Sequence, residues 1–140
     1  MRGEGAGIKM LSLEEANALL PNVRKALKSL REQRNQILKT QAQVEIEELT
    51  GTNSQGQMTP QAQSALTLLM ETFQRQSRKF ERDLEKLSKL GAQLKDLDSG
   101  LVDFYSLRGS EVIFLCWKEG ESEINHWHDL EGGFRSRKSL

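Results

Sequence analysis

From Val23 to Leu87 the apolar positions recur at steps of three and four, the period of helices that bury one stripe. A short first helix is predicted over 13–19. It opens with Ser12 and Glu15, the spacing of a capping box in which each side chain satisfies the other's free backbone N–H. Pro21 has no N–H and its ring crowds the preceding turn, which predicts a kink or break at Leu20 and a new helix over 21–50. The stripe of that helix is Val23, Leu27, Leu30, Ile37 and Val44, with Arg34 and Gln41 in two of its seam positions. Residues 50–58 are polar and glycine-bearing, a loop by composition. Thr59-Pro60 then offers an N-cap and a proline at the first helical position. The second stripe is Leu66, Met70, Phe73, Ser77, Phe80, Leu84 and Leu87, closed by Gly91 in the left-handed conformation.

The two long helices, 21–50 and 60–90, are each about 45 Å long at 1.5 Å per residue. Equal arms around one loop suggest an antiparallel hairpin, and the stripes match in such a fold. Val23 falls opposite Leu87, Leu27 opposite Leu84, Leu30 opposite Phe80, Ile37 opposite Phe73, Gln41 opposite Met70 and Val44 opposite Leu66. Arg34 then faces Ser77, a polar layer that fixes alignment at some cost in stability. Heptad stripes of equal length also match between two chains, so both arrangements stay open.

After Gly91 the period changes to two. Segments 92–95 and 101–105 read as short strands around a turn at Asp98-Ser99-Gly100. Residues 107–110 read as a hairpin connection into Glu111–Lys118, whose β-branched and aromatic residues are apolar on both faces, as in a central strand. Glu119-Gly120 turns the chain again, and 122–126 is the last strand of a small meander. The fold expected is α+β: a flexible lead-in over 1–11, a long antiparallel helical hairpin of coiled-coil character over 12–91, and a small antiparallel β-meander over 92–140 packed on it as one domain.

Composition narrows the function classes. In 140 residues, 29% are charged yet the net charge is zero and the pI about 6.8. No global field would draw such a chain to nucleic acid or an acidic membrane. A single cysteine makes no internal disulfide, and no apolar run approaches the ~20 residues that span a bilayer. The expected setting is the cytoplasm. The stretch from Gly100 to Arg137 holds six of the eight aromatic residues, both histidines and the cysteine, so any chemistry belongs there.

That stretch carries a resemblance. Gly100-Leu101-Val102-Asp103-Phe104, then Leu115-Cys116-Trp117 with Gly120-Glu121, Ile124, Trp127-His128, Gly133-Phe134 and Arg137 resemble the signature of an uncharacterised prokaryotic family, domain of unknown function 2203. The opening, Glu14-Glu15-Ala16-Asn17 with Leu19-Leu20-Pro21, is similar to that family's start. The resemblance spans 12–137. It implies a site map in the C-terminal third and no activity.

Two constellations follow. His126 and His128 are one residue apart, so on a strand both imidazoles share a face; with Cys116, and Glu121 as a fourth donor, they would suit zinc or another transition metal. A lone cysteine in an apolar strand is more often a small core residue. Asp103, Glu121, His128 and Arg137 are the charged members of the motif, able to orient a base and hold an anion or to form a structural ion-pair network. No recognised catalytic spacing accompanies them, which favours the structural role. Trp117 and Trp127 are candidate core or partner-binding anchors. Arg135, Arg137 and Lys138 form a short basic tail. The reading that results is a non-enzymatic cytoplasmic interaction or regulatory protein, dimeric, whose C-terminal module binds a protein or small-molecule partner. It needs no cofactor. The rival is a metal-binding protein or enzyme built on Cys116, His126 and His128.

Overall fold

The computed structural model describes residues 8–140. Two helices, α1 (Leu13–Thr50) and α2 (Pro60–Lys89), precede five strands: β1 (Ala92–Asp96), β2 (Leu101–Arg108), β3 (Glu111–Lys118), β4 (His126–Asp129) and β5 (Lys138–Ser139). A 3-10 turn, Phe134–Ser136, leads into β5. The fold is α+β, two long helices packed together and followed by an antiparallel sheet, as the change of period predicts. The chain divides into two compact units, one taking the chain up to Ser29 with Asp83–Leu140, the other Leu30–Arg82.

Both helix starts are capped by the residues that predict them. The Ser12 N–H donates to Glu15 Oε1 at 2.8 Å while the Glu15 N–H donates to Ser12 Oγ at 3.1 Å, a closed capping box. At α2 the Ala62 N–H donates to Thr59 Oγ1 at 3.1 Å, with Pro60 in the first helical position.

The break predicted at Leu20 does not occur, and α1 runs unbroken through Pro21. A proline inside a helix costs about 3 kcal/mol. Leu20, Val23 and Leu27, before and after it, are all buried. Each contributes roughly 1.5–3 kcal/mol by leaving water, so keeping the stripe on one continuous helix outweighs the proline.

In the Leu30–Arg82 unit the interior face holds Ile37, Val44, Leu66, Phe73 and Phe80, all half-buried. Gln41 and Met70, expected to face each other, are both exposed. Thr40 takes the inner position, 4% exposed, with its hydroxyl 2.8 Å from Gln76 Oε1 and 3.1 Å from the Gln36 carbonyl. A short hydroxyl that bonds back to its own helix is satisfied in a seam where a longer amide would need more partners. At the closed end Gly51 accepts the Thr59 N–H at 2.9 Å and lies so close to Ala62 that any side chain would collide.

The sheet is a meander in chain order, with β3 in the middle. Strands β2 and β3 meet through Gly109-Ser110, and Gly109 has φ 62°. A two-residue hairpin loop needs that left-handed value at its first central residue. The last strand of the predicted meander is displaced: β4 is His126–Asp129 rather than 122–126. The reason is α1. Its Asn17 Oδ1 accepts the Ile124 N–H at 2.8 Å, and its Arg24 guanidinium donates to the Ser122 carbonyl at 3.2 Å, so this stretch docks on the helix instead of pairing. The presumed basic tail supplies β5, which pairs with β4 through Trp127 and Lys138.

Alternation along β2 and β3 sends Val102, Phe104, Leu115 and Trp117 to the face covered by α1, where the Arg24 guanidinium lies 5.5 Å from the Trp117 ring centre. The other face receives Asp103, Tyr105, Phe114, Cys116, His126 and His128. At the junction of α2 and β1, Gly91 has φ 107°, and a Cβ there would come within 2.8 Å of Leu11. Leu11 is buried and its N–H donates to the Tyr105 carbonyl at 2.9 Å. Of the lead-in expected over 1–11, residues 1–7 lie outside the described residues.

Candidate functional site

Strand register brings the candidate residues onto one face of the sheet. Asp103 on β2 is directly opposite Cys116 on β3, and Cys116 is opposite His126 on β4, with His128 two residues further on the same face. One ligand-type atom from each of Asp103, Cys116 and His128 lies within 4.8 Å of the other two, and the three residues are 3%, 0% and 1% exposed. His126 stands outside this trio, with Nδ1 at 3.8 Å from Glu121 Oε2.

Hydrogen bonding around His128 settles where protons must sit. Its Nδ1 is 2.7 Å from the Asp129 carbonyl oxygen, which can only accept, so Nδ1 carries a hydrogen. Nε2 is 3.0 Å from Asp103 Oδ2. That contact is a hydrogen bond only if one proton lies in it, on the imidazole or on the carboxyl, and the pair is net neutral either way. Burial raises the Asp103 pKa, while the charge of His128 pulls against it. Asp103 Oδ1 is buried and has no hydrogen-bond partner. The Cys116 thiol lies beside that carboxylate and feels its charge. Burial first, and Asp103 second, push the thiol up to about 12. Burial and the neighbouring carboxylate thus both favour the protonated, weakly nucleophilic thiol.

The rim of the site is an ion-pair clasp. Arg137 donates to both oxygens of Glu121, Nη1 to Oε1 at 3.1 Å and Nη2 to Oε2 at 2.7 Å. The turn after β3 holds Glu121 in place: its Oε1 accepts the Lys118 N–H at 2.8 Å, and its carbonyl accepts Trp117 Nε1–H at 2.9 Å. The segment joining β4 to β5 crosses this face. Phe134 is stacked by Arg137 at 4.2 Å and by Lys118 at 5.2 Å. Gly132 packs where a Cβ would meet Ser136 Oγ at 2.5 Å and His128 at 3.6 Å. The arginine thus closes over Cys116 with its charge already matched by Glu121.

Burial works to raise the Glu121 pKa, but the N–H donors of Arg137 and Lys118 and the charges of Arg137 and His126 outweigh it and hold the carboxyl below its ordinary 4.5. A carboxyl that ionises more readily folded than unfolded stabilises the fold above its ordinary pKa, and the contribution is lost as pH falls through the lowered value. Glu121→Gln is therefore expected to cost about 1 kcal/mol at neutral pH, the partly exposed pair being screened. Urea melts at stepped pH should show the difference from wild type closing below 4.5. A gap of constant size down to acid pH contradicts the clasp's electrostatic role.

The residues singled out by type converge, with different partners from those expected. Asp103, Cys116 and His128 form the buried trio; Glu121, Arg137 and His126 form the rim. Trp117 lies on the opposite face, against α1. Trp127, also on the opposite side from His128, is flanked by Arg108 at 4.5 Å and Lys138 at 4.7 Å. Reading by residue type missed Phe134 as the stacking platform and Lys95, which lies 4.7 Å from the Phe114 ring centre. Only the tertiary path of the β4–β5 segment identifies the first.

The fold and the rim define a class: an α+β protein with a helical arm and a five-stranded sheet that encloses a mixed Asp, Cys and His group. The chain belongs to the family described as uncharacterized conserved protein (DUF2203), whose model matches residues 9–140. No curated protein and no solved structure matches it. Among the described residues, no helix is long and apolar enough to cross a membrane.

Proposed function

We propose that the protein is a non-enzymatic cytoplasmic interaction protein that self-associates through its helical arm. The observation that carries this reading is a second apolar stripe on α1. Leu38, Ile46 and Leu49 are 53%, 58% and 80% exposed, and with the exposed Ala42 they fall within an arc of about 80° at 100° per residue. Thr40 and Gly51, which meet α2, point roughly the opposite way. The stripe therefore faces away from the partner helix. A helix apolar on two sides is usually packed on two sides.

The stripe is self-complementary. In an antiparallel two-fold pairing, Leu38 of one copy lies against Leu49 of the other and Ala42 against Ile46, so apolar positions meet. The single buried cysteine suits a reducing compartment.

Sedimentation equilibrium tests the reading. Wild type is expected as a dimer at micromolar concentration and Ile46→Glu with Leu49→Glu as a monomer of unchanged helix content, since both positions are exposed. A wild type that sediments as a monomer at every concentration removes the proposal.

A further inference from the structure

We infer that Asp103, Cys116 and His128 form a binding site for one divalent transition-metal ion of the zinc class. This goes beyond the interaction reading and does not depend on it. Four observations carry the assignment. First, the three donors come from three neighbouring strands whose ladder fixes their spacing, so the group is organised by backbone pairing and not by flexible loops. Second, the His128 ring is oriented as a metal-binding imidazole is: Nδ1–H donates to the Asp129 carbonyl at 2.7 Å and Nε2 is the nitrogen turned toward the other donors. Third, Asp103 Oδ1, on a side chain 4% exposed, has no hydrogen-bond partner, an arrangement that is costly unless something binds there. Fourth, thiol, imidazole and carboxylate together are the mixed S, N and O set of zinc.

The geometry needs little adjustment. Donors about 2.0–2.3 Å from a tetrahedral ion lie roughly 3.3–3.8 Å from each other. The observed contact of Nε2 to Oδ2 is 3.0 Å, and no pair of the trio exceeds 4.8 Å. Side-chain rotation by a fraction of a rotamer closes the difference. Three protein donors also leave a fourth position for a small ligand.

Charge balances as well. Binding a dication at the trio releases two protons, one from the Cys116 thiol and one from the Asp103–His128 contact, and the loaded group of cation, thiolate, carboxylate and neutral imidazole is again net neutral. No uncompensated charge is buried before or after. The charged groups packed around the trio are Lys95 from β1, His126 from β4, Glu121 from the turn after β3 and Arg137 from the segment crossing the face. Arg137 would oppose a cation by itself, but its bidentate bond to Glu121 cancels that charge at the rim.

This trio differs from the one that residue spacing proposes, and the difference supplies the test. Full-length protein, untagged and stripped with chelator, is titrated with Co²⁺ and followed by visible and near-ultraviolet absorption. The expected result is saturation at one Co²⁺ per chain, with four-coordinate d–d bands and a thiolate charge-transfer band, both removed by adding one equivalent of Zn²⁺. Cys116→Ser should abolish the charge-transfer band, Asp103→Asn should weaken Co²⁺ at least about tenfold, and His126→Ala should bind as wild type does. Circular dichroism verifies that each variant is folded. Folded wild type that takes up no Co²⁺ saturably, or takes it up without a thiolate band, overturns the site whatever the variants do. So does loss of binding in a folded His126→Ala variant with Asp103→Asn unaffected.

Discussion

His128→Leu is expected to destabilise the chelator-treated protein by about 3–5 kcal/mol, because it removes one member of a buried pair and strands the other. Asp103 is 3% exposed and Oδ2 has His128 Nε2 as its partner at 3.0 Å. Oδ1 already lacks a partner. Without the imidazole the carboxyl loses that partner, and it must either stay protonated or carry a buried charge. The Asp129 carbonyl loses the imidazole but keeps the Gly132 N–H, which donates to it at 2.9 Å. The double variant Asp103→Leu/His128→Leu should recover most of the loss, since two apolar side chains replace a pair whose desolvation is costly. Urea denaturation of the four proteins in a double-mutant cycle measures the coupling. A single variant within about 1 kcal/mol of wild type would mean that the pair contributes no more than a surface contact.

Trp117→Ala is expected to cost about 3–5 kcal/mol as well, for an apolar reason. Trp117 is fully buried, sits on the central strand opposite Val102, carries the Arg24 guanidinium over its ring and donates Nε1–H to the Glu121 carbonyl. Alanine there leaves a cavity between the sheet and α1. The same carbonyl belongs to the residue whose carboxylate holds Arg137, so the loss should also loosen the rim of the site. Trp117→Phe keeps most of the volume and loses the N–H donor, and should cost nearer 1 kcal/mol. Comparable losses for the two variants would place the importance of Trp117 in its hydrogen bond and not in its bulk.

Most of the fold is legible in one sequence because it depends on periods. The steps of three and four from Val23 to Leu87, the capping box at Ser12 and Glu15, the Thr59-Pro60 start and the apolar run Glu111–Lys118 each bias local structure before any contact is made, and each is found where the period puts it. Pro21 is legible and misleading. Its local cost is real, and the burial of Leu20, Val23 and Leu27 against unit-wide packing overrides it. The last strand fails for a similar reason. Residues 122–126 alternate well enough, yet Asn17 and Arg24, about a hundred positions earlier, capture their backbone.

Candidate residues were legible by type and not by partnership. Asp103, Cys116, Glu121, His128 and Arg137 stand out as polar or reactive side chains among apolar and aromatic ones, and all of them meet on one face. His126 and His128 looked like a pair because they share a strand face. Their neighbours separate them: the ladder puts His126 in line with Cys116 and Asp103, yet it is the His128 ring that reaches the Asp103 carboxyl, while Glu121 faces His126. By itself, then, the sequence determined the helical arm, the change of period at Gly91, the central strand and the roll of reactive side chains, all of which follow from local propensity and alternation. Tertiary structure decided that α1 passes through Pro21, that the C-terminal segment becomes a strand and closes over the sheet, and which three donors share a buried space. Register between strands and docking on α1 are long-range contacts, and their energies exceed the local preferences that a single stretch of sequence expresses.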